Sequence, residues 1–354
     1  MGGDLVAGER VLGFTYVPPP EETPESARDD RLLTEGEGPG SLSVRHAVPA
    51  VRPSGPGDDR LPHDRLAATA VVPAARRSPC LPTAVNDLLT DGSRPARVLR
   101  RIARTLRASG HELWLSGGAP RELLAGRGRE AIRDLDLTGT APAGRFAEAA
   151  RQAVEEDGET YELRPRVSPD TLVCTVFEPD RPSSLIDYRG LGLGDMPFPA
   201  TGTDLTADSR QRDFTVNSLL YDFERHLVID ASGKGLRHLS GPARALVPCE
   251  PFTDPVIRAE LALRAVKFLV RWADDIAVDT DELSAWTREF PHDLTDLVRR
   301  RGERTWARLQ ALHHDCLSDA PEDQQKAVAK TLGPAVQQLI EALLRTTGRT
   351  VEPR

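Results

Sequence analysis

The stretch from His111 to Gly139 constrains the fold more than any other part of the chain. HELWLSGG is a short apolar run closed by two glycines, PRELLAG opens as a helix with proline in its first turn, and IRDLDLTG alternates leucine and aspartate as a strand does. Strand, glycine turn, helix and second strand put Asp134 and Asp136, at i and i+2, on one strand face. Two carboxylates placed so can hold divalent cations a few ångströms apart, the arrangement of two-metal nucleotidyl transfer. Gly117 and Gly118 let main-chain N–H groups close on a triphosphate, and Arg121, one turn into the helix, adds a charged clamp. D-x-D alone is a weak signal, because exposed strand faces often carry it. Its place behind a glycine pair and an arginine makes it specific.

A second polar cluster is Arg212-Asp213-Phe214-Thr215-Val216-Asn217, read as a helical segment. Arginine suits phosphate or ribose, aspartate orients the arginine, and asparagine supplies directional hydrogen bonds, while Phe214 anchors the segment in the core.

The rest of the chain gives these motifs a setting. Residues 1–90 are rich in Pro, Gly and charge and lack periodicity, which predicts a mostly disordered N-terminal arm with short pieces near 12–17 and 84–89. Order is expected from about Ser93, where Val98, Leu99, Ile102 and Leu106 form a helical stripe ended by Gly110. Arg94, Arg97, Arg100, Arg101, Arg104 and Arg107 cover the other face, which is either solvated or in contact with phosphates. A helix over 143–156, the strands YELRPRV, TLVCTVFE and SSLIDYRG, and a hairpin through HLVIDASGKG complete an α/β head over 91–250. From Asp254 nearly everything reads as helix, with boundaries at Gly302, Pro321 and Gly333, giving a helical region over 251–354.

Charge and cysteine usage narrow the partners. The formal charge is −8, so any nucleic-acid surface has to be a local patch. Lysine occurs only at 234, 267, 326 and 330 among 46 basic residues, a bias toward arginine that matches a GC-rich coding sequence and says little by itself. No apolar run reaches the roughly 18 residues of a membrane span, and the start lacks the pattern of a signal peptide. Cys80, Cys174, Cys249 and Cys316 are scattered without metal-ligand spacing, so a cytoplasmic protein with unpaired thiols and no membrane association is expected.

In sum, GGAPRELLAG, DLDLTG, RDFTVNSLLYD, the turn from Asp230 to Gly233 and DPVIRAELALRAVKF follow one another in an order that resembles the class II CCA-adding tRNA nucleotidyltransferases and the related bacterial poly(A) polymerases. The resemblance runs from about residue 95 to 315, weakening through RRRGERTWARLQALHHD, which is similar to that family's helical neck. It implies a polymerase-β-like nucleotidyltransferase head with a mixed or antiparallel sheet, then a neck and shortened body. It also implies two Mg²⁺ ions, ATP or CTP as donor, and an RNA 3′ end, tRNA-type first, as acceptor. By the same resemblance Gly117, Gly118 and Arg121 match the triphosphate loop, Asp134 and Asp136 the metal ligands, and Arg212, Asp213 and Asn217 the ribose and phosphate motif. Arg264 matches the family's later arginine.

The chain departs from that pattern in several places. Arg121 is followed by Glu122 where the family has aspartate, and GRGREAI enlarges the loop before Asp134. The third catalytic carboxylate falls on Asp187 in LIDYRG, or, in a gapless register, on Ser184. The base-reading motif has Thr253 in place of glutamate, and Asp254 is followed by Arg258 at i+4 instead of i+3. That pair either reads a Watson–Crick edge or forms an ordinary helix salt bridge. Three functions follow in order: transfer to an RNA 3′ end, the same chemistry on a protein or small molecule, and a nucleotide- or RNA-binding module without turnover. The intact D-x-D speaks against the third, and the drifted base-reading motif speaks for it.

Overall fold

The computed structural model describes residues 10–11, 14–15, 61–128, 132, 135–157, 164–167, 173–177, 184–191, 204–273 and 277–347. The chain divides into two units, Met1–Arg212 with Asn217–Gly235, and Asp213–Val216 with Leu236–Arg354.

In the first unit, β1 (Arg10–Val11) and β2 (Phe14–Thr15) pair with each other. Then come β3 (Val71–Pro73), α1 (Ala74–Arg77), α2 (Leu81–Thr90), α3 (Arg94–Ala108), β4 (Leu113–Leu115), α4 (Gly118–Leu124), β5 (Leu135–Gly139) and α5 (Ala143–Asp157). β6 (Arg164–Val167), β7 (Val173–Phe177), β8 (Ser184–Gly190), α6 (Leu205–Arg210), β9 (Leu220–Asp222) and β10 (Leu227–Ile229) follow. Eight strands form one sheet in the order β3-β10-β9-β4-β5-β8-β7-β6, antiparallel except where β5 and β8 run parallel. This is the mixed sheet with helices that the resemblance implies.

Strand alternation sorts the two faces. Leu113, Leu115, Leu135, Leu137, Ile186 and Tyr188 are buried on the face that α3 and α5 cover. There Phe146 of α5 stacks on Tyr188 at 4.0 Å, and the Tyr188 hydroxyl donates to the Ala141 carbonyl. α3 supplies Val98, Leu99, Ile102 and Leu106, as its stripe predicts, and Ser93 caps it by accepting from the Ala96 N–H. The opposite face carries Trp114, Asp136, Thr138, Asp187 and Arg189. On it Trp114, Leu191, Leu205, Leu220 and Ile229 form an apolar cluster that Leu66 helps to cover.

Two expectations need correction. Order begins well before Ser93: short 3-10 turns at Pro62–Arg65 and Ala68–Ala70 lead into β3, which pairs with β10 at the sheet edge, and α1 and α2 follow. These residues earn their order by burying Ala70, Ala74, Leu81, Val85, Leu88 and Leu89, a sparse set that an average over 1–90 conceals. The supposed piece at 12–17 is represented by β2, and residues 16–60 lie outside the described part. Second, Arg212–Asn217 is not a helix. α6 stops at Arg210, and Thr215–Asn217 is a single 3-10 turn. Thr215 and Val216 are β-branched, and the backbone here pairs outward: Thr215 N–H donates to the Val247 carbonyl and Cys249 N–H to the Asp213 carbonyl.

The second unit holds α7 (Gly235–Ser240), β11 (Arg244–Ala245), α8 (Pro255–Trp272), β12 (Val278–Asp279), α9 (Asp281–Arg288), α10 (Leu294–Arg300), α11 (Glu303–Leu317), α12 (Glu322–Leu332) and α13 (Pro334–Thr347). Among these helices β11 and β12 make a short parallel ladder. α8 is apolar nearly all round and lies at the centre, with α10, α11, α12 and α13 packed on it. Its one buried acid, Glu260, accepts from Arg308 at 3.1 Å. Gly302 and Gly333 break the helices at φ of 105° and 111°, as placed from sequence. No helix among the described residues is long and apolar enough to cross a membrane.

Candidate functional site

The glycine turn and the acidic strands meet at one end of the first unit's sheet. Gly117 ends β4's run at φ 63° and ψ −124° and caps α4, a conformation that side chains disfavour. A Cβ there would lie 2.3 Å from Asp136 Oδ2, so the Asp136 carboxylate fills the space that glycine leaves. The Ser116 N–H donates to the Asp136 carbonyl at 2.9 Å, which ties the turn to β5.

β5 and β8 pair in parallel with Asp136 opposite Asp187, so both side chains leave the same sheet face from strands about 4.8 Å apart. Ser184 sits beyond a β-bulge and pairs with Phe177, out of register with the acidic positions. Asp134 lies outside the described residues, as does most of the enlarged loop before it. Among the described residues no three His, Cys, Asp or Glu side chains gather into a metal cluster. Behind Asp187, burial pushes the Cys174 thiol well above its ordinary range and the Asp187 charge adds to the shift, so this cysteine stays protonated.

Arg121 does not project freely. It is buried, its Nε and Nη2 donate to Glu122 Oε1 at 2.9 and 2.8 Å, and its Nη1 donates to Asn217 Oδ1 at 2.5 Å. The longer Glu122 thus folds back on its neighbour, and Arg121 links the glycine turn to the end of the second motif. Arg212 is held differently. Its Nε and Nη2 both donate to Asp208 Oδ2, while Arg189 Nη2 donates to Asp208 Oδ1 at 2.6 Å. Asp208, 2% exposed, therefore stands between two guanidinium groups beside the acidic pair. Residue type alone does not single Asp208 out. Its signal was an aspartate four residues before Arg212, the spacing of a helical ion pair.

The remaining candidates belong to the second unit. Asp213 accepts from the Phe214 N–H at 2.7 Å and pairs with Arg264 at 3.4 Å. Asp254 and Arg258 are not brought together. Asp254 caps α8 by accepting from the Val256 and Ile257 N–H groups and pairs with Arg301 at 3.0 Å. Arg258 donates to the carbonyls of Phe252 and Glu289 and lies over the Phe290 ring.

Residues 113–242, from β4 through the RDFTVN segment and the hairpin, match the family model described as the poly(A) polymerase head domain. This stretch of the chain is therefore similar to a poly(A) polymerase head domain. Curated relatives agree: the chain is 27% identical over 192 residues to Poly(A) polymerase I of Escherichia coli O6:H1 (strain CFT073), covering 51% of this chain and 39% of that protein. It is 27% identical over 233 residues to Poly(A) polymerase I of Salmonella typhimurium, covering 60% of this chain and 48% of the relative. The chain thus spans less than half the length of these relatives. A solved complex of a CCA-adding enzyme with CTP is similar over 74% of this chain and 54% of its own, at 17% identity and a TM-score of 0.48. Gly117, Gly118, Arg121, Asp136, Asp187, Arg212 and Asn217 all fall within the matched head domain, and Asp254, Arg258 and Arg264 lie beyond it.

Proposed function

We propose that the chain is a metal-dependent nucleotidyltransferase that adds AMP or CMP from an NTP to an RNA 3′ end, tRNA-type acceptors first. The observation that carries this reading is the pairing of Asp136 with Asp187 on parallel strands beside the positive-φ Gly117, inside the stretch that matches the poly(A) polymerase head domain. Aspartate oxygens on one half-exposed face suit a hard divalent cation such as Mg²⁺, and Asp136 and Asp187, with Asp134, would hold two such ions. The ions would supply charge neutralisation at the reacting phosphate and a more acidic attacking hydroxyl.

The chain's own residues do the positioning. Gly117 and Gly118 expose main-chain N–H groups where the triphosphate would lie. Asp208 sets the plane of the Arg212 guanidinium, which is ready to meet phosphate or ribose oxygens without paying its ordering cost on binding. In-line attack of the 3′-hydroxyl on the α-phosphate then releases pyrophosphate. Four scattered free cysteines fit a reducing, cytoplasmic setting.

Incubating the protein with labelled ATP or CTP, Mg²⁺ and tRNA lacking CCA, with an unstructured RNA alongside, tests the proposal. Incorporation at the 3′ end supports it. Transfer only to a protein or small molecule moves the acceptor class, and nucleotide binding without any transfer leaves a binding module. Asp254 and Arg258 remain the residues to test for base reading, together with Arg264 and Asp213. Because Asp254 and Arg258 each already serve α8, we expect Arg258→Ala to leave the ratio of kcat/KM among the four NTPs within about threefold. A base-edge partner would instead contribute roughly 1–3 kcal/mol, or about 5- to 150-fold.

A further inference from the structure

α3 lies on the helix-covered face of the sheet, away from Asp136 and Asp187, yet its sequence RPARVLRRIARTLRA has six arginines and no acid in 15 residues. Its buried stripe is Ala96, Val98, Leu99, Ile102, Ala103 and Leu106, which leaves Arg97, Arg100, Arg101 and Arg104 on the solvent side over two turns. Arg97 and Arg101 donate to main-chain carbonyls, of Gly92 and Ala153. Arg107, at the far end, joins Glu224 and Asp222. Arg100 and Arg104 are exposed, and no ion pair holds either among the described residues. They stand at i and i+4, where like charges repel by a few tenths of a kcal/mol and weaken an isolated helix. A protein of net charge −8 has thus gathered positive charge on one helix, in an arrangement that a bound polyanion would relieve.

The stripe also points somewhere. α3 descends to the Gly110 turn and β4 climbs back to Gly117, and a helix rises about 1.5 Å per residue against about 3.3 Å for a strand. The run from Gly110 to Gly117 spans about 23 Å as strand, the length of about 15 helical residues, so Arg94 is about level with Gly117 and the arginines from Arg97 to Arg104 form a row leading up to that level. From Arg104 to Arg97 the helix rises about 10 Å, about three phosphates at 3.4 Å per strand. Lipid insertion is unavailable to α3, whose apolar stripe is already buried in the head.

We propose that the α3 face is a phosphodiester track, with Arg100 and Arg104 at its centre, for the RNA backbone upstream of the 3′ end. This rests on the RNA-acceptor reading above. The test compares wild type with Arg100→Glu/Arg104→Glu, and with the milder Arg100→Gln/Arg104→Gln, on a 30-nucleotide RNA and on a trinucleotide primer too short to reach α3. Anisotropy binding of the long RNA is measured between 50 and 200 mM salt (about the range over which phosphate contacts respond), together with steady-state transfer to both primers. The expected result is at least about a tenfold loss of long-RNA affinity in the Glu variant and a smaller loss in the Gln variant. The log–log salt slope should shrink by about 1.4, for two phosphates at 0.7 each, with kcat on the trinucleotide unchanged. Equal long-RNA affinity and slope in all three proteins overturns the track while leaving RNA transfer standing. A wild type that transfers to no RNA overturns both readings. A wild type that binds an acidic peptide through these arginines but no RNA replaces the track with a protein-docking face.

Discussion

Gly117 is the residue on which the site turns, because its two constraints are independent. Its φ of 63° strains any side chain, and a Cβ would meet the Asp136 carboxylate. Gly117→Ala is expected to cost about 1–2 kcal/mol of stability from the backbone alone, and to reduce transfer more than any fall in folded fraction explains, as seen by comparing Tm with kcat. Asp136→Ala and Asp187→Ala should each cut transfer by about 100-fold or more, as losing a metal ligand does, while Ser184→Ala stays within about twofold. Equal effects of Asp187→Ala and Ser184→Ala would reassign the third carboxylate. Asp208→Ala removes the buried acid between Arg189, itself buried, and the partly buried Arg212, and thermal unfolding should show a loss of about 3 kcal/mol. The glycine turn with Asp136 beside it was legible because its chemistry is written in residue type and spacing. The pairing of Asp187, not Ser184, with Asp136 was not, because it depends on which strand lies beside β5 and in what register. Asp254 and Arg258 show the converse: spacing allows a shared face, while capping and carbonyl docking assign each a partner that spacing does not specify.

Among the elements, β3 differs most from expectation. It is three residues long, sits at the sheet edge and is preceded by Leu66, which packs against the Trp114 cluster. A protein beginning at Leu61 is expected to match the full chain in Tm, whereas one beginning at Leu81 loses the edge strand and α1. That second truncation should fall by about 5 °C or more, corresponding to roughly 2 kcal/mol for a domain of this size. α3 was visible as a periodic stripe and α5 as a helix, α2 only as a short piece near 84–89, and β3 was hidden because a three-residue edge strand carries no period to read. In the helical unit, burial holds the His313 imidazole below its ordinary 6.5, with the Gln325 hydrogen bond opposing the shift and His314 reinforcing it. The folded state then resists a proton that the unfolded chain accepts. Stability is full above about pH 6.5 and falls as the pH drops toward the folded value, by at most about 1.4 kcal/mol per pH unit. Melting curves between pH 7.5 and 5.5 (roughly one unit either side of the ordinary value) should be flatter for His313→Gln in this range.

At the scale of the whole molecule, the chain passes between its units three times: after Arg212, before Asn217 and after Gly235. A boundary near 250, natural from composition, cuts across that arrangement. The four residues Asp213–Val216 belong to the helical unit, where Phe214 is fully buried edge-on to Phe268 at 5.9 Å and Thr215 shares a hydrogen bond with His238. Cutting the gene at a single point would therefore never yield two self-sufficient halves. A fragment starting at Leu236 would leave Phe268 facing a hole the size of a phenyl ring, and a fragment ending at Arg212 would forfeit Asn217, β9 and β10. Inheritance of the head without the helices, or of the helices without the head, is thereby discouraged at the level of folding, and any recombination that swaps one must carry the RDFTVN strip with both.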